Sequence, residues 1–335
     1  MFQGMNYVYE VYKEKSFSKA AKNLYISQPS LSANVRRVEN KIGYPIFNRN
    51  TSPLTLTECG ERYIQSVEEI LAIENSFSSF VNDLGGLKTG HLTLGGSSLF
   101  SSCVLPHLIG DFTRRFPLVK INLIEESTAR LEELLLSGVL DLAIDNYPFN
   151  EAVFGRRLFH EEHLILAVPR AFPINRRFES YQLSVEEICS GAFLDKKTAP
   201  VPLEQFKDEA FILLKQENDT RRRSTLLCQA NGFSPRVVLE LDQQMTSYNI
   251  TCAGMGISFI SDTLVRHVTP HPDVIYYKLP GAETRRNLYF YWKNGKYISR
   301  AMEEFLNINC SVPSQWIPNS YSLAMEEKQV SPRSR

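Results

Sequence analysis

Residues 16–47, SFSKAAKNLYISQPSLSANVRRVENKIGYPIF, constrain this chain more than any other stretch. Phe17, Ala20, Ala21 and Leu24 recur at helical spacing and make one apolar face, and Leu31, Val35, Val38 and Ile42 make a second. Ser27 is placed to cap the second helix, and Pro29 falls in its first turn, where a missing N–H costs little. Gly43 is a helix stop. The Ala20-Ala21 pair lets the two helices approach closely. The spacing predicts a helix-turn-helix, whose second helix lies in the DNA major groove. The face opposite Leu31 carries Pro29, Ser32, Ala33, Arg36 and Arg37, with Gln28 and Ser30 near the N-terminal tip. Gln pairs well with adenine, Ser reaches either kind of base edge, and Arg binds phosphate or guanine. On periodicity alone, an ordinary amphipathic helix with a solvated polar face is an equal reading.

Charge tips the balance only locally. The whole chain has a formal net charge of +0, so it is no polycation. Up to Gly60, however, eight Lys and Arg face four Glu. Local excess is what a phosphate backbone meets.

The same stretch closely resembles the amino-terminal winged helix-turn-helix of the LysR-type transcriptional regulators. The match is long and ungapped: Ser16-Phe17, Ala20-Ala21, Leu24, Ser27-Gln28-Pro29-Ser30-Leu31-Ser32, the Arg37 and Glu39 region, Gly43, Pro45, Phe47 and Arg49, then Leu56-Thr57-Glu58 and Gly60. The resemblance implies a regulator that reads double-stranded promoter DNA through Ser27, Gln28, Pro29, Ser30, Ser32, Ala33, Arg36, Arg37 and the wing residue Arg49. Two departures stand out. Ala33 replaces a residue that is often basic in the family, and Arg49 is the only cation of the wing, residues 48–55.

After the wing, Thr57 is placed as an N-cap, with Glu58 and Glu61 in a first turn that favours acids. A helix is expected to run to about Leu84 and to stop at Gly85-Gly86. Tyr63, Ile70, Phe77 and Leu84 repeat every seven residues, with Val67, Glu74 and Val81 interleaved. That is a coiled-coil seam with one polar break at Glu74. A helix of roughly 40 Å cannot bury such a stripe on a small domain, so Tyr63, Val67, Ile70, Phe77, Val81 and Leu84 are expected to pair with a second copy. Packing on the following domain is the alternative. The resemblance supports pairing and implies a homodimer or homotetramer.

Beyond a hinge at residues 87–90, strand and helix patterns alternate, the signature of an α/β region. Strands are expected at residues 91–95, 119–125 and 140–145, with helices at 104–116 and from Thr128 to Leu136. A second lobe at about 166–268 carries strands at 211–214, 237–241 and 257–260. Strands at 274–279 and 287–292 are expected to return to the first lobe, and a helix at 299–308 closes it. The expected fold class is therefore α/β with an N-terminal all-α winged helix-turn-helix and a C-terminal two-lobe domain resembling the type 2 periplasmic-binding fold. The domains read as 1–57, 58–86 and 87–310, with lobe 1 at about 91–165 and 269–310. The polar residues 311–335 are expected to be disordered.

Ligands of open α/β sheets sit outside the carboxyl ends of strands. Ser97 and Ser98 follow the first strand, Thr128 the second, Asn146 the third, and Asn218 and Thr220 the first strand of the second lobe. Together they define an interlobe cleft for a small polar or anionic effector, which is where the resemblance places one. Singly, each could merely cap a helix. The run Arg221-Arg222-Arg223 reads as a solvated surface, and His160 and His163 as packing residues. Ala253 to Ser258 lacks the full dinucleotide-loop spacing. The six cysteines form no CxxC or CxxH set, so neither a zinc site nor another cofactor is expected. Scattered thiols, no leader pattern and no membrane-length apolar run fit a cytoplasmic protein. A solute-binding protein or an enzyme on the same two-lobe fold is the rival reading. The cleft residues are hydroxyls and amides rather than a base and a nucleophile, so no enzyme is expected. RNA polymerase is the further partner if the protein activates.

Overall fold

The computed structural model describes residues 1–51, 53–84, 90–216 and 218–310. The expected hinge and stop at residues 85–89 and the tail at 311–335 lie outside the described residues, as does the Leu84 side chain. Three helices open the chain, α1 (Met5–Glu14), α2 (Phe17–Asn23) and α3 (Gln28–Ile42). Ser16 accepts the Lys19 N–H at 3.4 Å and Ser27 accepts the Ser30 N–H at 3.3 Å, so each hydroxyl caps the helix it precedes. Gly43, at φ 87°, ends α3 in the left-handed conformation that glycine adopts without strain. Ala20, Ala21, Leu31, Val35 and Val38 are buried with Val8 and Val11 of α1. The helix-turn-helix therefore owes its packing to the two apolar faces of the sequence. A two-stranded wing follows, β1 (Phe47–Asn48) paired antiparallel with β2 (Thr55–Leu56).

The long helix α4 (Glu58–Leu84) starts from Thr57, whose Oγ1 accepts the Gly60 N–H at 3.0 Å and donates to the Pro45 carbonyl at 2.6 Å. A Cβ at Gly60 would lie 2.1 Å from the Ile46 carbonyl oxygen, so only glycine fits there. The helix presents only part of the expected seam outward. Tyr63 and Val67 are 6% and 0% exposed because the first turns of α4 complete the core of α1–α3, and Ile70 is half-buried. The apolar side chains that remain outside are Ile73, Phe77, Phe80 and Val81.

The rest of the described chain is two α/β lobes on two shared strands. Lobe 1 contains β3 (Gly90–Gly96), α5 (Leu105–Arg115) after a π-helical turn at Phe100–Val104, β4 (Val119–Glu125), α6 (Thr128–Ser137) and β5 (Leu142–Asp145). The 16-residue strand β6 (Phe154–Pro169) leaves it. Lobe 2 contains β7 (Gln182–Leu183), α7 (Val185–Ser190), β8 (Ala210–Leu214), α8 (Asp219–Ala230), β9 (Arg236–Leu241), α9 (Gln244–Cys252), β10 (Ile257–Ser261), α10 (Asp262–His267) and β11 (Val274–Lys278). The strand β12 (Arg285–Lys293) returns to lobe 1, and α11 (Arg300–Cys310) packs there. Strand order is β4-β3-β5-β12-β6 and then β6-β10-β8-β9, with β11 on β6 and β7. The near half of β6 pairs with β12 and its far half with β10 and β11, so β6 crosses between the lobes.

One strand is placed differently from the expectation. β11 does not return to the first lobe. It pairs antiparallel with residues 165–169 of β6 and with β7, and its Ile275 and Tyr277 enter the lobe 2 core. Its continuous apolar run, buried on both faces, fits either sheet, and register with β6 selects the second.

Candidate nucleic-acid interface and interlobe cleft

The outward face of α3 matches the sequence reading. Gln28, Pro29, Ser30, Ala33, Arg36 and Arg37 are exposed, and Ser32 is half-buried. A shallow groove runs along this face between Gln28, Pro29, Ser32, Ala33, Arg36, Arg37 and Asn40. Arg37 donates to Asn34 Oδ1 at 3.2 Å, which orients its guanidinium along the helix. Tyr25, in the turn before α3, is 95% exposed in the left-handed conformation at φ 54°.

Arg49 of the wing is anchored within the domain. Its Nη2 donates to Glu39 Oε2 at 2.8 Å, its Nη1 donates to Ser32 Oγ at 3.3 Å, and its guanidinium lies 5.2 Å from the centre of the Phe17 ring. Glu39 Oε1 also accepts the Ile46 N–H at 3.0 Å. The wing is thus tied to the recognition helix through a buried carboxylate. Sequence reasoning had no assignment for Glu39 beyond the family match. Its position one residue after buried Val38 was the available signal.

The cleft residues fall on the elements that face the crossing strands, but most of their polar groups already have partners. Ser127, not Thr128, caps α6, accepting the Arg130 N–H at 3.4 Å. Thr128 Oγ1 instead donates to Asp145 Oδ2 at 2.9 Å. Asn146 donates to Glu162 Oε1 at 3.0 Å. Arg286 joins the lobes: its Nε donates to the same Glu162 oxygen at 2.6 Å, and its Nη1 donates to Thr220 Oγ1 at 2.8 Å and Asp219 Oδ2 at 3.3 Å. Asn218 caps α8 through the Thr220 N–H at 2.8 Å. Ser97 and Ser98 are half-buried just beyond the end of β3.

Electrostatics hold this network together. Burial opposes the charges of Arg286 and Asp219, yet their mutual attraction outweighs it. The Arg286 pKa is raised by Glu162 and Asp219, and the Asp219 pKa is lowered by Arg286 and Arg223. Burial pushes the Asp145 carboxyl up to about 6 against the hydrogen bonds from Tyr147 and Thr128. Glu162 Oε2 is buried without a hydrogen-bond partner among the described residues. The arginine run is not simply solvated surface. Arg222 and Arg223 both bind Asp219, and Arg221 binds Glu240. Burial lowers His160 to about 4, consistent with a packing role. Among the described residues there is no group of three or more His, Cys, Asp or Glu that could hold a metal, and no helix long and apolar enough to cross a membrane.

A helix-turn-helix, a long linking helix and a two-lobe α/β domain make a regulator of transcription rather than an enzyme. The lysR-family bacterial regulatory helix-turn-helix model matches residues 2–61, and the LysR substrate binding domain model matches residues 85–308. The chain belongs to the LysR family of DNA-binding transcriptional regulators, whose second domain binds effectors. It is 27% identical over 306 residues to the HTH-type transcriptional regulator YcgK of Bacillus subtilis, covering 91% of this chain and 92% of that one. It is 25% identical over 299 residues to the probable RuBisCO transcriptional regulator of Porphyra purpurea, covering 88% of each. Among solved structures, full-length CbnR complexed with its target DNA has a TM-score of 0.64 at 17% identity, covering 92% of this chain and 98% of that one. A full-length OxyR variant from Pseudomonas aeruginosa has a TM-score of 0.61 at 21% identity, covering 94% and 98%. At these identities the structures speak for the fold.

Proposed function

We propose that this regulator binds partly palindromic promoter DNA as a homodimer, within a tetramer, in the cytoplasm, and answers to a small polar effector held between its lobes. The exposed tip of α3 carries this reading. Gln28 and Ser30 meet base edges in the major groove, and Arg36 and Arg37 meet phosphates or guanine. Ser27, Pro29, Ser32 and Ala33 shape the contact, with Arg49 holding the wing in place. Ile73, Phe77, Phe80 and Val81 form the stripe of α4 that pairs with a second copy, which sets two half-sites about one or more helical turns apart. RNA polymerase is the partner where the protein activates.

In the cleft, Ser97, Ser98, Thr128, Asn146, Asn218 and Thr220 remain the effector contacts. Asp219 at the start of α8 is already paired with Arg222, Arg223 and Arg286. A small polar or anionic effector recognised by hydroxyls and amides suits the site. The effector shifts the angle between lobes only by its differential affinity for the two arrangements.

The test is a genomic DNA pull-down at moderate salt, with wild type beside a Gln28→Ala, Arg36→Ala double variant. Enrichment of a few promoter fragments by wild type and its loss in the variant supports sequence reading by α3. Equal, unselective recovery by both rejects it.

A further inference from the structure

Helix α6 touches both halves of the molecule. At its start, Thr128, one of the proposed effector contacts, is hydrogen-bonded to Asp145 at the end of β5. Two residues on, close to the opposite side of the helix at 100° per residue, Arg130 reaches the DNA-binding half. Its Nη2 donates to the Tyr12 hydroxyl at 2.8 Å and to Glu68 Oε1 at 3.2 Å. Its Nη1 donates to Glu133 Oε2 at 2.7 Å, so the guanidinium is held in one plane. Glu68 is 4% exposed, on the turn of α4 that follows the helix-turn-helix core. Tyr12 lies in the last turns of α1, which packs on α2 and α3.

At the far end of α6 the contact is equally tight. A Cβ at Gly138 would lie 2.4 Å from the Ala72 Cβ of α4. The helix is thus seated on α4 at both ends, and its cleft end is bonded to β5. A helix of ten residues moves as a unit on the scale of a side-chain contact.

We propose that Arg130 is a positioning residue that makes α6 a lever: displacement of its Thr128 end in the cleft shifts the Arg130 bridge to Tyr12 and Glu68, and so resets the DNA-binding domain against lobe 1. The cleft as effector site is the reading this rests on. The lever itself requires no ligand to be tested. A charge-assisted contact from one guanidinium nitrogen to a buried carboxylate and a hydroxyl, with the other nitrogen held by Glu133, has two discrete arrangements, made and broken, which suits a switch better than a continuously deformable contact. Lysine keeps the charge but not the fork.

Hydrogen exchange on the full chain tests it, with no effector added. Arg130→Ala should speed exchange of amides in residues 8–14 and 66–72 by about ten-fold or more, with α8 unchanged, and Arg130→Lys should fall between it and wild type. Thr128→Val, which removes the bond to Asp145 at nearly constant volume, should speed the same amides across the interface. The double variant should go no further than Arg130→Ala. If Thr128→Val alters only α6 itself, or if the two substitutions add, the lever is wrong. An effector that later proves to bind elsewhere would leave these exchange results standing and would count against the cleft instead.

Discussion

Arg49 in the wing donates to Glu39 in the recognition helix at 2.8 Å, and that carboxylate also accepts the Ile46 N–H at 3.0 Å. The pair therefore sets the angle between wing and helix. Glu39→Ala would leave a buried backbone N–H without its acceptor, at a cost of about 1–3 kcal/mol. Arg49→Ala removes a partly exposed ion pair and should cost under about 1 kcal/mol. Denaturant unfolding of both variants gives this order. DNA affinity should fall in both without any change in preferred sequence.

The roles proposed for Gln28 and Arg36 on α3 are separable. Gln28→Ala should cost about 1–3 kcal/mol on the preferred site and relax one base-pair position. Arg36→Ala, if Arg36 meets phosphate, should weaken all sequences alike and flatten the salt dependence by about one unit of slope. Binding isotherms at several salt concentrations, on the preferred site and on single-base variants, distinguish the two.

The cleft bridge is a buried ion network, and removing one member strands another. Arg286→Met leaves Glu162 buried without its cation, while Asp219 keeps Arg222 and Arg223, an expected loss of about 3–5 kcal/mol. Adding Glu162→Gln to that variant should restore much of the loss, because the stranded charge goes too. Thermal unfolding of the single and double variants measures both effects. A double variant less stable than the single would contradict the electrostatic account.

Along α4 the apolar stripe splits into a buried and an exposed part. Phe77→Glu, on the exposed stripe, should shift the chain towards monomer in sedimentation velocity while leaving its unfolding transition in place. Val67→Ala, inside the core, should instead lower stability by about 1–3 kcal/mol and leave assembly unchanged.

Asp145 gives stability a pH dependence. Burial raises its carboxyl from 3.8 to about 6, so the folded chain holds this proton more tightly than the unfolded chain does. Its contribution is full below about pH 4 and lost as the pH rises through about 6, roughly 3 kcal/mol between the limits. Asp262, also raised to about 6 by burial, acts in the same direction. Asp145→Asn keeps an acceptor for Thr128 and should flatten this part of the curve. Urea unfolding across that pH range reads the slope.

Short-range patterns carried much of this protein in its sequence. The two apolar faces, the Ser27 cap, the Gly43 stop and the alternating strand and helix periods are local, and local geometry enforces them. The outward residues of α3 were legible for the same reason, because a helix with one buried face must expose the other. Tertiary packing decided the rest. The α4 stripe has one spacing throughout, yet Tyr63 and Val67 turn into the core while Ile73 and Phe77 stay outside, because only the first turns meet α1–α3. β11 could have joined either sheet, and pairing with the far half of β6 chose lobe 2. Glu162, Arg286 and Asp219 are distant in sequence and come together only where β6 and β12 cross beside α8, so no periodicity could reveal them. Arg130 is likewise an ordinary helix cation until α6 is laid against α4 and Tyr12. Elements follow from neighbours along the chain, and sites follow from neighbours in space.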